Sequence, residues 1–174
     1  PHQITQTRPG ELFIHRNLAN LVYSDDDNLM ADLQHAVDDL KVAHIILCGI
    51  YGCNGMGAVL NGDATGHMHS WLRALREVYE ENRLEVDSIE DPLDRQNRLA
   101  ELNVREQLRR LSQLDIVRAA LERGQDLTLH GWIYDLSNGR LTELFEVEPV
   151  SETSGFAMPL QDVPQMEDHL AVAE

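Results

Sequence analysis

The stretch that decides the fold reads AHIILCGIYGC and covers residues 43–53. It opens with an almost continuously apolar run at 43–48, and the run stops at Gly49. An apolar run without alternating polar positions is typical of a strand buried on both faces of a parallel sheet. We therefore predict a buried strand here. The glycines crowded between residues 49 and 57 predict a loop that turns sharply or approaches another group closely.

Helical and strand patterns alternate on both sides of this stretch. The predicted elements are a strand at 12–15, a helix over 29–40, helices over 67–84, from Asp91-Pro92 onward and over 115–123, and strands at 126–132 and 141–147. Asp91 can cap its helix, and Pro92 suits the first turn. Ser137-Asn138-Gly139 predicts a hairpin between the last two strands. The alternation predicts an α/β fold, with a mainly parallel β-sheet flanked by helices.

The length of 174 residues, 43% of them hydrophobic, suits one domain with a substantial core. We place this domain at residues 1–148. Residues 149–174 are acidic and contain prolines at 149, 159 and 164, which predicts a C-terminal tail or arm. Such a segment is usually mobile, and its scattered apolar residues leave open the alternative of an arm docked on its own domain or on a partner subunit.

The net charge of −16 opposes binding to polyanions, so nucleic acid and anionic membranes are poor partners. No run approaches the ~18 apolar residues of a membrane span, and the N-terminus lacks the pattern of a signal peptide. We therefore expect no membrane partner and a cytoplasmic location. Cys48 and Cys53 are too few for a disulfide framework, so we expect reduced thiols.

Five ordered blocks together resemble bacterial-type β-class carbonic anhydrases. They are PGELFIHRNLANLV at 9–22, LQHAVDDLKV at 33–42, CGIYGC at 48–53, ELNVREQ at 101–107 and RGQDLTLHGWIY at 123–134. The resemblance covers about residues 1 to 147. It implies a β-carbonic anhydrase-like fold and the family reaction, which is zinc-dependent reversible hydration of carbon dioxide to bicarbonate. It also implies a homo-oligomer, either a dimer or a tetramer.

The resemblance further implies a zinc site with two parts. One cysteine comes from an early Cys-x-Asp-x-Arg motif, and a histidine and a second cysteine come from a later His-x-x-Cys motif. Zinc needs three or four such ligands in tetrahedral array, and it lowers the pKa of its bound water to about 7. Cys53 stands at the later cysteine position and is the metal-site residue that we predict.

The departures from this pattern bear on activity. Ile50 stands at the histidine position and has no lone pair to offer a metal. Residues 1–5 match what usually follows the early motif, so its Cys, Asp and Arg are expected upstream of Pro1. Asn54 replaces a common glycine, and Arg8 stands where plant relatives have a glutamine. Cys48 is poorly placed to replace the missing ligand, because two residues of a strand displace it from position 50 by about 6–7 Å. The His67-x-His69 pair is poorly spaced as well, because residues i and i+2 of a helix point apart.

Two functions stay open at this point. One is a carbonic anhydrase with impaired or absent catalysis because its zinc site is incomplete. The other is a pseudoenzyme that serves as a structural or regulatory subunit, including a hetero-oligomer with an active homologue, or as a bicarbonate-binding module.

Arg16 and Tyr134 match the residues of a non-catalytic bicarbonate pocket in one subset of the family. A guanidinium and a phenol can hold a small oxyanion; the alternative is that Arg16 pairs with a carboxylate and Tyr134 packs beside Trp132.

Overall fold

The computed structural model describes residues 1–147, so the predicted tail at 149–174 lies outside the described residues. The helices are α1 His2–Thr5, α2 Asp27–Gln34, α3 Asn54–Leu60, α4 Gly66–Trp71, α5 Arg73–Glu81, α6 Arg83–Asp87, α7 Pro92–Gln113 and α8 Asp115–Glu122. A 3₁₀ turn at Leu18–Asn20 and a π turn at His35–Asp39, which continues α2, complete the helical elements. The strands are β1 His44–Ile50, β2 Thr128–Tyr134 and β3 Leu141–Val147.

The three strands form one mixed sheet in the order β1-β2-β3. β1 pairs with β2 in parallel, with Ile50 opposite Tyr134, and β2 pairs with β3 as an antiparallel hairpin. The α/β class is therefore confirmed. The sheet of the described residues contains one parallel and one antiparallel pair.

The long helix α7 covers one face of this sheet. Its start is capped as the sequence predicts, because the Asp91 carboxylate accepts hydrogen bonds from the amides of Leu93 at 2.8 Å and Asp94 at 3.0 Å. Val104 and Leu108 of α7 are fully buried against Leu129 and Ile133 of β2. Burial of this apolar layer is the main stabilising contribution to the domain.

The prediction that β1 is buried on both faces is wrong for the described residues. Leu47 and Gly49 face α7 and are buried, whereas His44, Ile46 and Cys48 on the opposite face are exposed. The apolar run hides this difference because Ile46 is apolar without being covered: 39% of its surface is exposed. β1 is also an edge strand within the described part of the chain.

Two further local predictions need correction. Residues 12–15 do not form a strand, because a strand exists only through ladder hydrogen bonds to a neighbour, and within residues 1–147 this segment pairs with none. The predicted glycine loop ends early, since Gly55 and Gly57 lie inside α3. The helical region over 67–84 is divided into α4, α5 and the start of α6.

Within residues 1–147, none of the helices is both long enough and apolar enough to cross a membrane.

Candidate functional site

Cys53 lies at the turn between β1 and α3. After Ile50 the Tyr51 amide still donates to the Tyr134 carbonyl at 3.0 Å, and then Gly52 turns the chain with φ +68°. This left-handed conformation favours glycine because a Cβ atom would be strained there. Cys53 occupies the N-cap of α3, and its carbonyl accepts the first helical hydrogen bond, from Met56 at 3.0 Å. The turn thus places the half-buried thiol at the carboxyl end of β1.

Side chains in the first turns of α7 form hydrogen bonds to the backbone of this loop. The Gln96 side-chain amide donates to the Cys53 carbonyl at 2.5 Å, and the Gly52 amide donates to the Asn97 side-chain oxygen at 2.9 Å. Two neighbouring side chains of one helix therefore fix the two residues at the tip of the turn. Asp91 caps α7 five residues before Gln96 and six before Asn97, so the cap fixes where the helix begins relative to both contacts.

A buried charge network lies beside the same turn. The Tyr51 hydroxyl donates to the Glu101 carboxylate at 2.5 Å, and the Arg98 guanidinium donates to the other oxygen of Glu101 at 2.8 Å. Glu101 is only 2% exposed. Burial, and then the hydrogen bond to Glu101, raise the pKa of the Tyr51 phenol well above its usual value. Tyr51 is therefore a neutral donor that anchors the loop.

The clamp from α7 predicts a measurable change in the reactivity of Cys53. Replacing Gln96 with alanine removes the donor to the Cys53 carbonyl, which should cost about 1 kcal/mol and loosen the turn. We expect Cys53 to react several-fold faster with a thiol-specific disulfide reagent, measured in a Cys48→Ser background. Gln113→Ala, at the far end of α7, is the matched control; equal rates in both variants would contradict a clamp.

The donor set around Cys53 does not fit a zinc ion. Ile50 ends β1 three residues before Cys53, and its side chain is hydrocarbon. Within residues 1–147, the single group of three or more potential ligands with atoms in reach of one another is at His130, Glu143 and Glu146, and Cys53 is not part of it. One thiolate is too few for a tetrahedral site.

The other predicted site residues lie apart from this turn. Arg16 is exposed, and it makes no hydrogen bond or salt bridge within residues 1–147. Tyr134 ends β2, next to the hairpin glycine Gly139. No direct hydrogen bond joins Arg16 to Tyr134 in the described part of the chain, so the bicarbonate pocket stays a prediction. Cys48 is exposed, and its thiol donates to the Gly49 carbonyl at 3.3 Å.

Sequence reasoning missed the supporting residues of the turn. Gln96, Asn97, Arg98 and Glu101 are polar residues in a helix with a regular apolar face, a pattern that ordinarily indicates solvent exposure. The one available signal was Glu101, because its spacing of three and seven residues from Val104 and Leu108 puts it on the apolar face of the helix, where a carboxylate needs a partner. Its partner Tyr51 is fifty residues away in the sequence, and local spacing cannot reveal such a contact.

Comparison with known proteins assigns this chain to a family. A family profile described as carbonic anhydrase matches residues 1–141. A carbonic anhydrase of Emericella nidulans is 42% identical over 135 residues, which is 78% of this chain and 59% of that protein. A carbonic anhydrase of Pseudomonas aeruginosa is 34% identical, over 83% of this chain and 67% of its own length. One of Candida albicans is 34% identical, over 82% of this chain and 51% of that protein.

Solved structures agree in fold. A β-carbonic anhydrase of Coccomyxa, solved with acetazolamide, has a TM-score of 0.80 and 36% identity, over 86% of this chain and 67% of that chain. One of two tetrameric β-carbonic anhydrases of Sordaria macrospora has a TM-score of 0.77 and 38% identity, over 82% of this chain and 73% of that chain. The chain thus spans between one half and three quarters of the length of these relatives.

Proposed function

Because the chain belongs to the β-carbonic anhydrase family, we propose that it is a member in which Ile50 impairs zinc binding and hydration of carbon dioxide. The observation that carries the proposal is the hydrocarbon side chain at the end of β1, where the family's His-x-x-Cys motif has its histidine. Zinc sites in proteins use sulfur, nitrogen and oxygen ligands. Whatever other ligands the whole protein supplies, Ile50 offers none.

The contacts around Cys53 are intact, which supports the loss of one zinc ligand at position 50 rather than a disrupted fold. Cys53 retains its place at the N-cap of α3, with Gln96 donating to its carbonyl and Asn97 accepting from Gly52. Gly52 retains its left-handed turn. A scaffold this complete should accept a histidine at position 50, because Ile50 ends its strand and is only partly buried.

We further propose that the chain assembles with copies of itself. The Sordaria relatives are tetrameric. In this chain Phe13, Ile14 and Ile46 are 47%, 37% and 39% exposed, and the edge strand β1 offers backbone groups that no other strand of residues 1–147 pairs. Exposed apolar side chains and an open sheet edge favour association. Light scattering after size exclusion should report a dimer or a larger homo-oligomer, and a monomer would contradict this part of the proposal.

The test of the proposed function is restoration of the histidine. Cobalt(II) bound to a thiolate gives a sulfur-to-metal charge-transfer band, and a Cys48→Ser background removes the other thiol of this sequence so that the band reports metal at Cys53. We expect a weak or absent band and little carbon dioxide hydration in the unmodified protein. Ile50→His should bind cobalt at least about 10- to 100-fold more tightly, because even lesser changes around metal ligands have effects of that size.

Two variants complete the design. Ile50→Ala opens the same space without adding a ligand, so it should behave like the unmodified protein. Cys53→Ser in the Ile50→His background should abolish the charge-transfer band. A strong band together with rapid hydration of carbon dioxide by the unmodified protein would refute the proposal, because it would mean that other ligands complete the site.

A further inference from the structure

Polar side chains of all three strands meet on the face of the sheet opposite α7. β2 directs His130 and Trp132 to this face, because its alternate residues Leu129 and Ile133 are buried against the helix. His44 of β1 reaches His130, with 3.1 Å between His44 Nδ1 and His130 Nε2. Two imidazoles in direct contact on neighbouring strands are not explained by the site at Cys53.

A bulge in β3 adds two carboxylates to the same face. Glu143 pairs with Trp132 and Glu146 pairs with His130, and the register shifts between Gly131 and Trp132. Residues three apart on a regular strand point to opposite faces. Leu144 is the extra residue that turns Glu143 to the side of Glu146, and both glutamates are exposed. Bulges commonly re-aim side chains in this way next to functional sites.

The ligand atoms are close enough to share an ion. Single ligand atoms of His130, Glu143 and Glu146 all lie within 4.8 Å of one another, and His130 Nδ1 is 2.7 Å from Glu143 Oε1. The Trp132 indole donates to the same oxygen at 2.9 Å. Glu143 is therefore already oriented by two side chains of β2.

We propose that His130, Glu143 and Glu146 form a binding site for a divalent transition-metal ion such as Zn²⁺, separate from the family site at Cys53. His130 Nδ1 and one oxygen of each carboxylate supply three protein ligands, and solvent completes the coordination. The bound ion connects β2 to β3 across the bulge.

His44 supports the site from outside the ligand set. When His130 Nδ1 binds a metal, the proton of the ring lies on Nε2, and that N–H donates to His44 Nδ1 at 3.1 Å. Ligating histidines in proteins generally donate their second ring nitrogen to such a partner, which fixes the ring orientation. An ion also relieves the repulsion between two adjacent carboxylates in a protein whose net charge is already −16.

Substitution of Glu146 is the most specific test of the proposed metal site. It is exposed, and its side chain makes no hydrogen bond within residues 1–147, so Glu146→Gln removes a ligand charge with little risk to the fold. Glu90→Gln is the matched control, because Glu90 is also exposed and loses the same charge in the loop before α7, outside the sheet. The protein, stripped of metal, is titrated with Zn²⁺ by calorimetry in a Cys53→Ser background, which removes the thiol of the family site.

We expect one saturable Zn²⁺ site in Cys53→Ser and in Cys53→Ser/Glu90→Gln. In Cys53→Ser/Glu146→Gln the affinity should fall at least about 10- to 100-fold. Cobalt(II) at this site should show ligand-field bands without the thiolate charge-transfer band. Absence of saturable binding in Cys53→Ser, or equal binding in the Glu90 and Glu146 variants, would overturn the proposal and leave a hydrogen-bonded His-Glu pair. Neither result depends on whether Ile50 impairs the family site.

Discussion

Adding one methyl group at Gly49 is expected to destabilise the domain by about 1–3 kcal/mol, as overpacking of a core does. A Cβ atom at this position would lie 2.6 Å from Val104 Cγ2 of α7 and 2.8 Å from Ile133 Cδ1 of β2. Valine has a stiff χ1 angle in a helix, so Val104 cannot easily move aside. Urea unfolding of Gly49→Ala should show a lower midpoint with an unchanged slope.

Two further variants test whether steric overlap with the neighbouring side chains causes the destabilisation by Gly49→Ala. In Gly49→Ala/Val104→Ala the new methyl group enters space that the valine has left, so the two effects should be non-additive by about 0.5–3 kcal/mol. In Gly57→Ala the added Cβ meets the Gln96 side chain at ordinary contact distances of 3.6–3.7 Å, inside α3. That change should stabilise by about 0.5–1 kcal/mol, because alanine favours a helix more than glycine does. Equal destabilisation by Gly49→Ala and Gly57→Ala would refute the explanation that Val104 and Ile133 pack too closely on Gly49 to admit a Cβ atom.

Removing the guanidinium of Arg98 should have the largest effect, a loss of about 3–5 kcal/mol in Arg98→Met. The Glu101 carboxylate is 2% exposed, and Arg98 is its charge partner at 2.8 Å. Burial opposes the charge of Arg98, but hydrogen bonds to Glu101 and Glu85 outweigh this and raise the pKa of the guanidinium. Methionine keeps the apolar stem and leaves a buried negative charge uncompensated. Urea unfolding measures the loss.

The double variant Arg98→Met/Glu101→Gln separates charge from packing. The glutamine is neutral, and its carbonyl oxygen can still accept the Tyr51 hydroxyl, so most of the lost stability should return. Arg83→Met is the exposed control: Arg83 pairs with Glu80 and Asp87 at the surface, where solvent screens both ion pairs, so its removal should change the stability little. A loss of similar size in Arg83→Met and Arg98→Met would contradict the role of burial.

Much of the local structure follows from short-range patterns. The cap at Asp91, the hairpin after Tyr134 and the range of β3 appear as expected, because they depend on neighbours only a few residues apart. The ordered blocks were also sufficient to indicate the family and the position of Cys53 at the end of β1. Residue chemistry alone established that Ile50 cannot bind a metal.

Other features depended on contacts between distant parts of the chain. Periodicity indicates which residues are apolar, but a covering layer decides whether they are buried, and for this reason Ile46 is exposed although it lies in an apolar run. Residues 12–15 have the composition of a strand and lack a paired neighbour within residues 1–147. Strand pairing requires a partner, and no local pattern contains that partner.

The turn at Cys53 and the cluster of His130, Glu143 and Glu146 both combine features that the sequence determines with features that only the tertiary structure determines. The family resemblance indicated Cys53 and Ile50 as the positions of the metal motif, and whether each can be a ligand depends on its own atoms. The clamp of Gln96 on Cys53 and the meeting of His130 with Glu143 and Glu146 arise from the docking of α7 and from a one-residue bulge in β3. Helix docking and strand register are set by packing over the whole domain, so only the tertiary structure could bring these side chains together.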